Sequence, residues 1–230
     1  MKTIGLIGGM SWESTVPYYR IINETVKETL GGLHSAKCLL YSVDFFELEA
    51  CLATEQWDKI TRILGQAAQT LEKAGADLIV ICTNTMHKVA PEIQQHIHSP
   101  IIHIADVTAQ ALLQSGIKKA GLLGTKFTMT QAFYKDRLTA QGLEVVIPPA
   151  EDVELINRVI FEELCVGITS EQSRADYLRI IQALSQQGAE GIILGCTEIG
   201  LLISQSDTPI ALFDTTLIHA KSAAELALDD

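Results

Sequence analysis

The stretch "LSQQGAEGIILGCTE" (residues 184–198) decides the fold, because the chain carries it twice. Laid over "LEKAGADLIVICTNT" (71–85), it puts Leu184 on Leu71, Gly188 on Gly75, Ala189 on Ala76 and Glu190 on Asp77. Each copy reads as a helix end, a glycine turn, an apolar strand and a polar corner. A second match precedes it in each half: "IGLIGGMS" (4–11) resembles "AGLLGTKF" (120–127), with Tyr18 falling on Tyr134. Two matches, in the same order and at nearly one spacing, indicate two similar halves, the first ending near residue 98. In this register Cys196, Thr197 and Glu198 fall on Thr83, Asn84 and Thr85.

Working outward, apolar runs at 3–8, 38–43, 77–82, 101–104, 119–124, 144–147, 190–195 and 209–213 read as strands. Amphipathic stretches near 12–30, 56–74, 87–97, 105–115, 128–141, 151–166, 171–188 and 215–228 read as helices. Such alternation is the pattern of α/β domains with parallel sheets. The strands are apolar throughout, as when helices cover both faces. A ligand belongs at the carboxyl ends of such strands. If the halves face each other, the two polar corners point into one cleft.

Composition narrows the function classes. Of 230 residues, 47% are hydrophobic and 20% charged, a globular balance. No apolar run reaches the ~18 residues of a membrane helix, and "MKTIGLIGGMSWES" lacks the length and cleavage site of a secretory signal. The expectation is a cytoplasmic protein with no membrane partner. A net charge of −11 without a Lys/Arg block argues against nucleic acid. An anionic substrate would need local donors, such as the N–H groups at helix starts. The five cysteines are odd in number and form no CxxC, which argues against a zinc cage or disulfide framework in such a chain.

The corners carry the chemistry. A thiol between a strand end and a helix N-terminus sits near unsatisfied N–H groups that favour negative charge. It then ionises below the ~8.5 of a free cysteine and can serve as nucleophile or general base. Cys196 has this position, and Asn84, Thr85, Thr197 and the backbone around them could hold a carboxylate. Cys82 points the opposite way from Thr83 along its strand and should face the packing. Cys38 reads as core, Cys51 as a loop thiol and Cys165 as a packed residue in a last helical turn. Among the histidines, "HIHSPIIH" (His96, His98, His103) matches no metal spacing, so no metal site is expected. His87 either orients the site or caps a helix, and His219 reads as a packed helix residue. "GLIGGMSWES" does not fit GxGxxG. Gly8 and Gly9 instead permit close approach of a small anion, bordered by Met10 and Ser11.

With "IGLIGGMSWEST" at the start, "CTNTMH" at 82–87, "LLGTKFT" at 122–128 and "GCTEIG" at 195–200, the sequence resembles the aspartate/glutamate racemase family over nearly its whole length. The nearest branch is the bacterial one of broad-specificity or L-Asp/Glu-specific amino-acid racemases. The resemblance implies two pseudo-symmetric Rossmann-like domains with the active site in the cleft between them. The last helix would cross back, giving domains 1–98 plus 212–230 and 99–211. It implies a homodimer, a free amino acid as the small-molecule substrate, and no cofactor. One thiol from each domain flanks the α-carbon in the family, one taking the α-proton while the other delivers a proton to the opposite face. Helix starts and hydroxyls would hold the α-carboxylate as charge spreads into it. Carried onto this chain, the catalytic pair is Cys196 and Thr83, with Met10, Ser11, Asn84, Thr85, Thr125, Thr128 and Thr197 binding substrate.

Two departures from the family pattern matter. Thr83 stands where the first thiol belongs, and a hydroxyl is a far weaker acid than a thiol. Cys196 would therefore abstract the proton of the L-enantiomer, and Thr83, with a water, would serve the other face less efficiently. Aspartate-specific members also carry an Arg after the second strand and a Lys near position 165. Here "YSVDFFELEA" and Cys165 stand there, which widens the substrate class toward neutral amino acids such as homoserine or methionine. Two other readings fit the same residues. One is a single-cysteine decarboxylase or isomerase of the same superfamily, and the other is a non-catalytic binder of small molecules, which gives Cys196 no reason to react.

Overall fold

Ile4–Gly8 forms β1, buried along its whole length, and "IGLIG" builds the centre of the first sheet. The computed structural model describes residues 1–229; residue 230, the end of the segment assigned to the first domain, lies outside them. After β1 come α1 (Trp12–Leu30), β2 (Cys38–Ser42), α2 (Phe45–Ala53), α3 (Trp57–Lys73) and β3 (Leu78–Ile81). A 3-10 segment, Thr85–Val89, leads into α4 (Ala90–Gln94) and β4 (Ile101–Ile102). These strands make a parallel sheet in the order β2-β1-β3-β4, with Ile4 opposite both Cys38 and Leu78.

The second sheet repeats this order. The chain continues through α5 (Ile104–Gln114), β5 (Lys119–Gly124), α6 (Lys126–Thr130), α7 (Ala132–Ala140), β6 (Glu144–Val146), α8 (Ala150–Glu162) and α9 (Glu171–Gln186). Then follow β7 (Gly191–Gly195), α10 (Ile199–Leu202), β8 (Ala211–Asp214) and α11 (Thr215–Leu228). The parallel order is β6-β5-β7-β8. The fold is thus α/β with two four-stranded parallel sheets of one topology, as the internal repeat predicts.

Two compact units result. One holds Met1–His103 and the chain from His219 on; the other is Ile104–Ile218. The chain passes between them at 103/104 and at 218/219, inside α11, where the sequence reading sets 98/99 and 211/212.

The repeat extends to packing. A Cβ on Gly5 would lie 2.8 Å from Ala76 Cβ and from Ile79 Cδ1, and 3.3 Å from Leu71 Cβ. A Cβ on Gly121 would lie 2.6 Å from Ile192 Cδ1 and 3.4 Å from Leu184 Cβ. Leu71 and Leu184, and Ile79 and Ile192, are repeat partners. Each half therefore keeps a glycine in its first strand so that the helix before its third strand, α3 or α9, can close on the sheet. Tyr18 and Tyr134 are likewise both fully buried.

Several local expectations are corrected. Helix α2 lies where a loop was expected, which puts Cys51 on a buried helical face with Leu48 and Leu52. Asp44 starts it by accepting the Phe46 N–H, an N-cap. The single helix expected over 128–141 is two, split at the extended Gln131. Strand β2 is an open edge rather than a covered strand, with Leu40 54% exposed. No helix among the described residues is long and apolar enough to cross a membrane.

Candidate active site

In the second unit, β7 ends at Gly195 and delivers three buried polar residues in a row: Cys196, Thr197 and Glu198. The Glu198 carboxylate gathers the others. Its Oε2 accepts from Cys196 Sγ at 3.0 Å and from Thr197 Oγ1 at 2.6 Å. Its Oε1 accepts from Cys165 Sγ at 3.7 Å. The neighbouring corner, at the end of β5, packs against the same place. A Cβ on Gly195 would sit 3.4 Å from Thr128 Cγ2, and one on Gly124 would sit 2.7 Å from the Gly195 carbonyl oxygen. Thr125 caps α6 by accepting the Thr128 N–H at 3.3 Å, and the two hydroxyls are 3.1 Å apart.

The electrostatics of this corner reverse one expectation. A lowered thiol pKa was expected from a following helix. Instead Cys196 is raised well above the usual thiol range, first by burial and then by the negative charge of Glu198. The helix that follows is one turn long, Ile199–Leu202, and carries too little dipole to offset a carboxylate in contact with the sulfur. Cys196 therefore rests as a neutral thiol beside a proton acceptor.

In the first unit, β3 delivers Cys82, Thr83, Asn84 and Thr85. Cys82 is fully buried and its thiol is pushed up by burial, so it faces the packing as expected. Asn84 and Thr85 are buried and Thr83 is half-buried. The Thr83 N–H donates to Ile81 O at 2.8 Å, and its carbonyl accepts from His87 Nδ1 at 2.7 Å. The β1 corner lies alongside: the Ser14 hydroxyl reaches Ser11 O at 3.0 Å and Cys82 O at 3.5 Å, and Ser11 caps α1.

Gly8 and Gly9 turn out to serve the chain itself rather than an anion. A Cβ on Gly8 would meet Thr15 Cγ2 at 2.4 Å, and one on Gly9 would meet Val43 O at 2.3 Å. The Gly9 N–H is also taken, donating to Thr15 Oγ1 at 2.8 Å. Met10 and Ser11 are buried beside them.

The expected residues thus form two groups. Met10, Ser11, Thr83, Asn84 and Thr85 share one end of the first sheet; Thr125, Thr128, Cys196 and Thr197 share the same end of the second. Glu198 was quoted in "GCTEIG" but given no role. Its signal was an acidic residue two places after the thiol, which only a buried side chain turns into a contact.

A family model for Asp/Glu/hydantoin racemase matches residues 7–223. The chain belongs to this family. It is similar to the broad specificity amino-acid racemase RacX of Bacillus subtilis (strain 168), 25% identical over 98% of both chains. It is also similar to a solved structure from Yersinia pestis assigned to the Asp/Glu racemases, at 56% identity, full coverage of both chains and a TM-score of 0.93. A third match is an aspartate racemase homologue from Pyrococcus horikoshii OT3, 40% identical over the whole of both chains with a TM-score of 0.86. As a member of the racemase family, the chain is an isomerase.

Proposed function

We propose that the protein racemises a free amino acid without a cofactor, with Cys196 as acid and base on one face of the α-carbon and Thr83 serving the other. The observation that carries this reading is the 3.0 Å contact between the Cys196 thiol and the Glu198 carboxylate. Glu198 takes the thiol proton, and the thiolate takes the α-proton of the L-enantiomer. The electron pair left on the α-carbon spreads into the substrate carboxylate, where hydroxyls and N–H groups stabilise it. The Thr83 hydroxyl gives its proton to the opposite face, and water returns to Thr83 the proton that Glu198 has taken. No charge is gained or lost over the cycle.

The substrate class is broad and small, consistent with Cys165 rather than a cation beside Glu198. Met10, Ser11, Asn84, Thr85, Thr125, Thr128 and Thr197 hold the substrate in this reading, and the enzyme works as a cytoplasmic homodimer. One observation favours a second reading: Thr83 leaves a single thiol at the paired corners, as a one-cysteine decarboxylase or isomerase requires.

The test is incubation with L-aspartate, L-glutamate, L-homoserine and L-methionine in D₂O without added cofactor. A D-product carrying α-deuterium is expected. Exchange with none of the four, while Cys196 still alkylates, moves the function to the second reading.

A further inference from the structure

We propose that His87 is a positioning residue for the weaker of the two catalytic corners: from a buried stack of three imidazoles, its Nδ1–H holds the Thr83 carbonyl and so sets where the Thr83 side chain stands. The proposal rests on the racemase reading above.

The backbone explains why a side chain is needed there. In an α-helical start the His87 N–H would take the Thr83 carbonyl, but here it bonds Asn84 O at 3.1 Å, a 3-10 pattern. The Thr83 carbonyl is left to the His87 ring, at 2.7 Å. A carbonyl only accepts, so Nδ1 carries the proton. With the Thr83 N–H tied to Ile81 O, both backbone polar groups of Thr83 are held, and the direction of its Cα–Cβ bond is fixed.

The ring is itself fixed. His87 is 1% exposed and meets His103 and His219 edge to face, with centroids 4.6 and 5.4 Å away. His219 is fully buried; its Nε2–H donates to Ile102 O at 2.7 Å, and its Nδ1 accepts from the Tyr18 hydroxyl at 2.9 Å. Burial lowers its pKa to about 3, so it stays neutral and adds no charge beside His87. The stack thus joins α1, the 3-10 segment, β4 and α11. The rings pack on one another, and no group of three His, Cys, Asp or Glu side chains among the described residues is placed to hold a metal ion.

The device belongs to one half. In the repeat register the position of His87 holds Gly200 in the second half, and the position of Glu198 holds Thr85 in the first. A thiol corner is served by a carboxylate, and a hydroxyl corner by an imidazole bonded to the Thr83 carbonyl. That division suits the chemistry: a poor proton donor depends more on alignment, and misplacement by about 1 Å costs on the order of 10²-fold in rate.

The experiment compares His87→Asn with His87→Gln. The Asn amide places a donor near the Nδ1 position, whereas the Gln amide places it one bond further out. Each variant, checked for folding by its thermal midpoint, is incubated in D₂O with the four L-amino acids named above. Inversion is read by chiral chromatography, and loss of the α-proton from the remaining L-enantiomer is read by NMR. The expected result is that Asn keeps both rates. Gln keeps exchange into the L-enantiomer, which needs Cys196 with Glu198 but not Thr83, while its inversion falls by about 10²-fold. Equal rates in the two variants, or exchange and inversion falling together in Gln, overturn the proposal. A wild type inert toward all four overturns the racemase reading itself, and the proposal with it.

Discussion

Cys196 and Glu198 are two residues apart in sequence and 3.0 Å apart in space, and the proposed mechanism turns on that contact. The carboxylate opposes ionisation of the thiol by its charge while offering the proton somewhere to go. Glu198→Gln separates the two effects. The pH midpoint for alkylation of Cys196 by iodoacetamide should move down, because the negative charge is gone. Racemisation should fall by on the order of 10²–10⁴-fold, the range of general acid–base catalysis, because the proton acceptor is gone too. An unchanged midpoint would show that Glu198 exerts no field on the thiol. The sequence showed the thiol and its repeat partner Thr83. It did not show the sign of the perturbation, since that depends on burial and on the helix after Cys196 ending within one turn.

Elements follow the same division between what a pattern encodes and what contacts decide. The helix over 215–228 and the apolar strands were readable because periodicity and turn residues bound them. Helix α2 is not legible in the sequence because apolar residues run round it, with Phe46 81% exposed while only Leu48, Cys51 and Leu52 are buried, and no period stands out. The repeat, by contrast, encodes packing. Gly5→Ala forces a methyl to within 2.8 Å of Ala76 Cβ and should lower stability by about 1–3 kcal/mol, measured by urea unfolding. A loss below ~0.5 kcal/mol would show that α3 can withdraw from the sheet at little cost.

The His219 contact between α11 and β4 adds a pH dependence at the same scale. Its folded pKa of about 3 lies below the unfolded value near 6.5, so the unfolded chain binds more protons between them. The stability it contributes is complete above about pH 6.5 and is lost as pH falls toward 3. His219→Gln should flatten that limb relative to wild type between pH 4 and pH 7 in urea titrations. Parallel curves would contradict a neutral, buried His219.

At the scale of the whole molecule, two sheets of one topology end in two different corners, Cys196 with Glu198 and Thr83 with His87. The duplication is legible as two matched stretches of sequence, and it points to both corners. It also shows the pair to be unequal, Thr83 against Cys196; what it cannot convey is the surroundings of each corner, because those partners come from other elements: His87 is held by His103 and His219, and Glu198 is shared with Cys165. The account depends on this unequal pair inverting a stereocentre without help from a cofactor. The most direct test is α-deuterium incorporation with inversion in D₂O, without cofactor, for wild type and Cys196→Ala side by side. The account predicts D-amino acid carrying α-deuterium from the wild type and a loss of at least ~10³-fold in the variant, the scale seen when a catalytic group of a cooperating set is removed. A Cys196→Ala enzyme that racemises at the wild-type rate would contradict it.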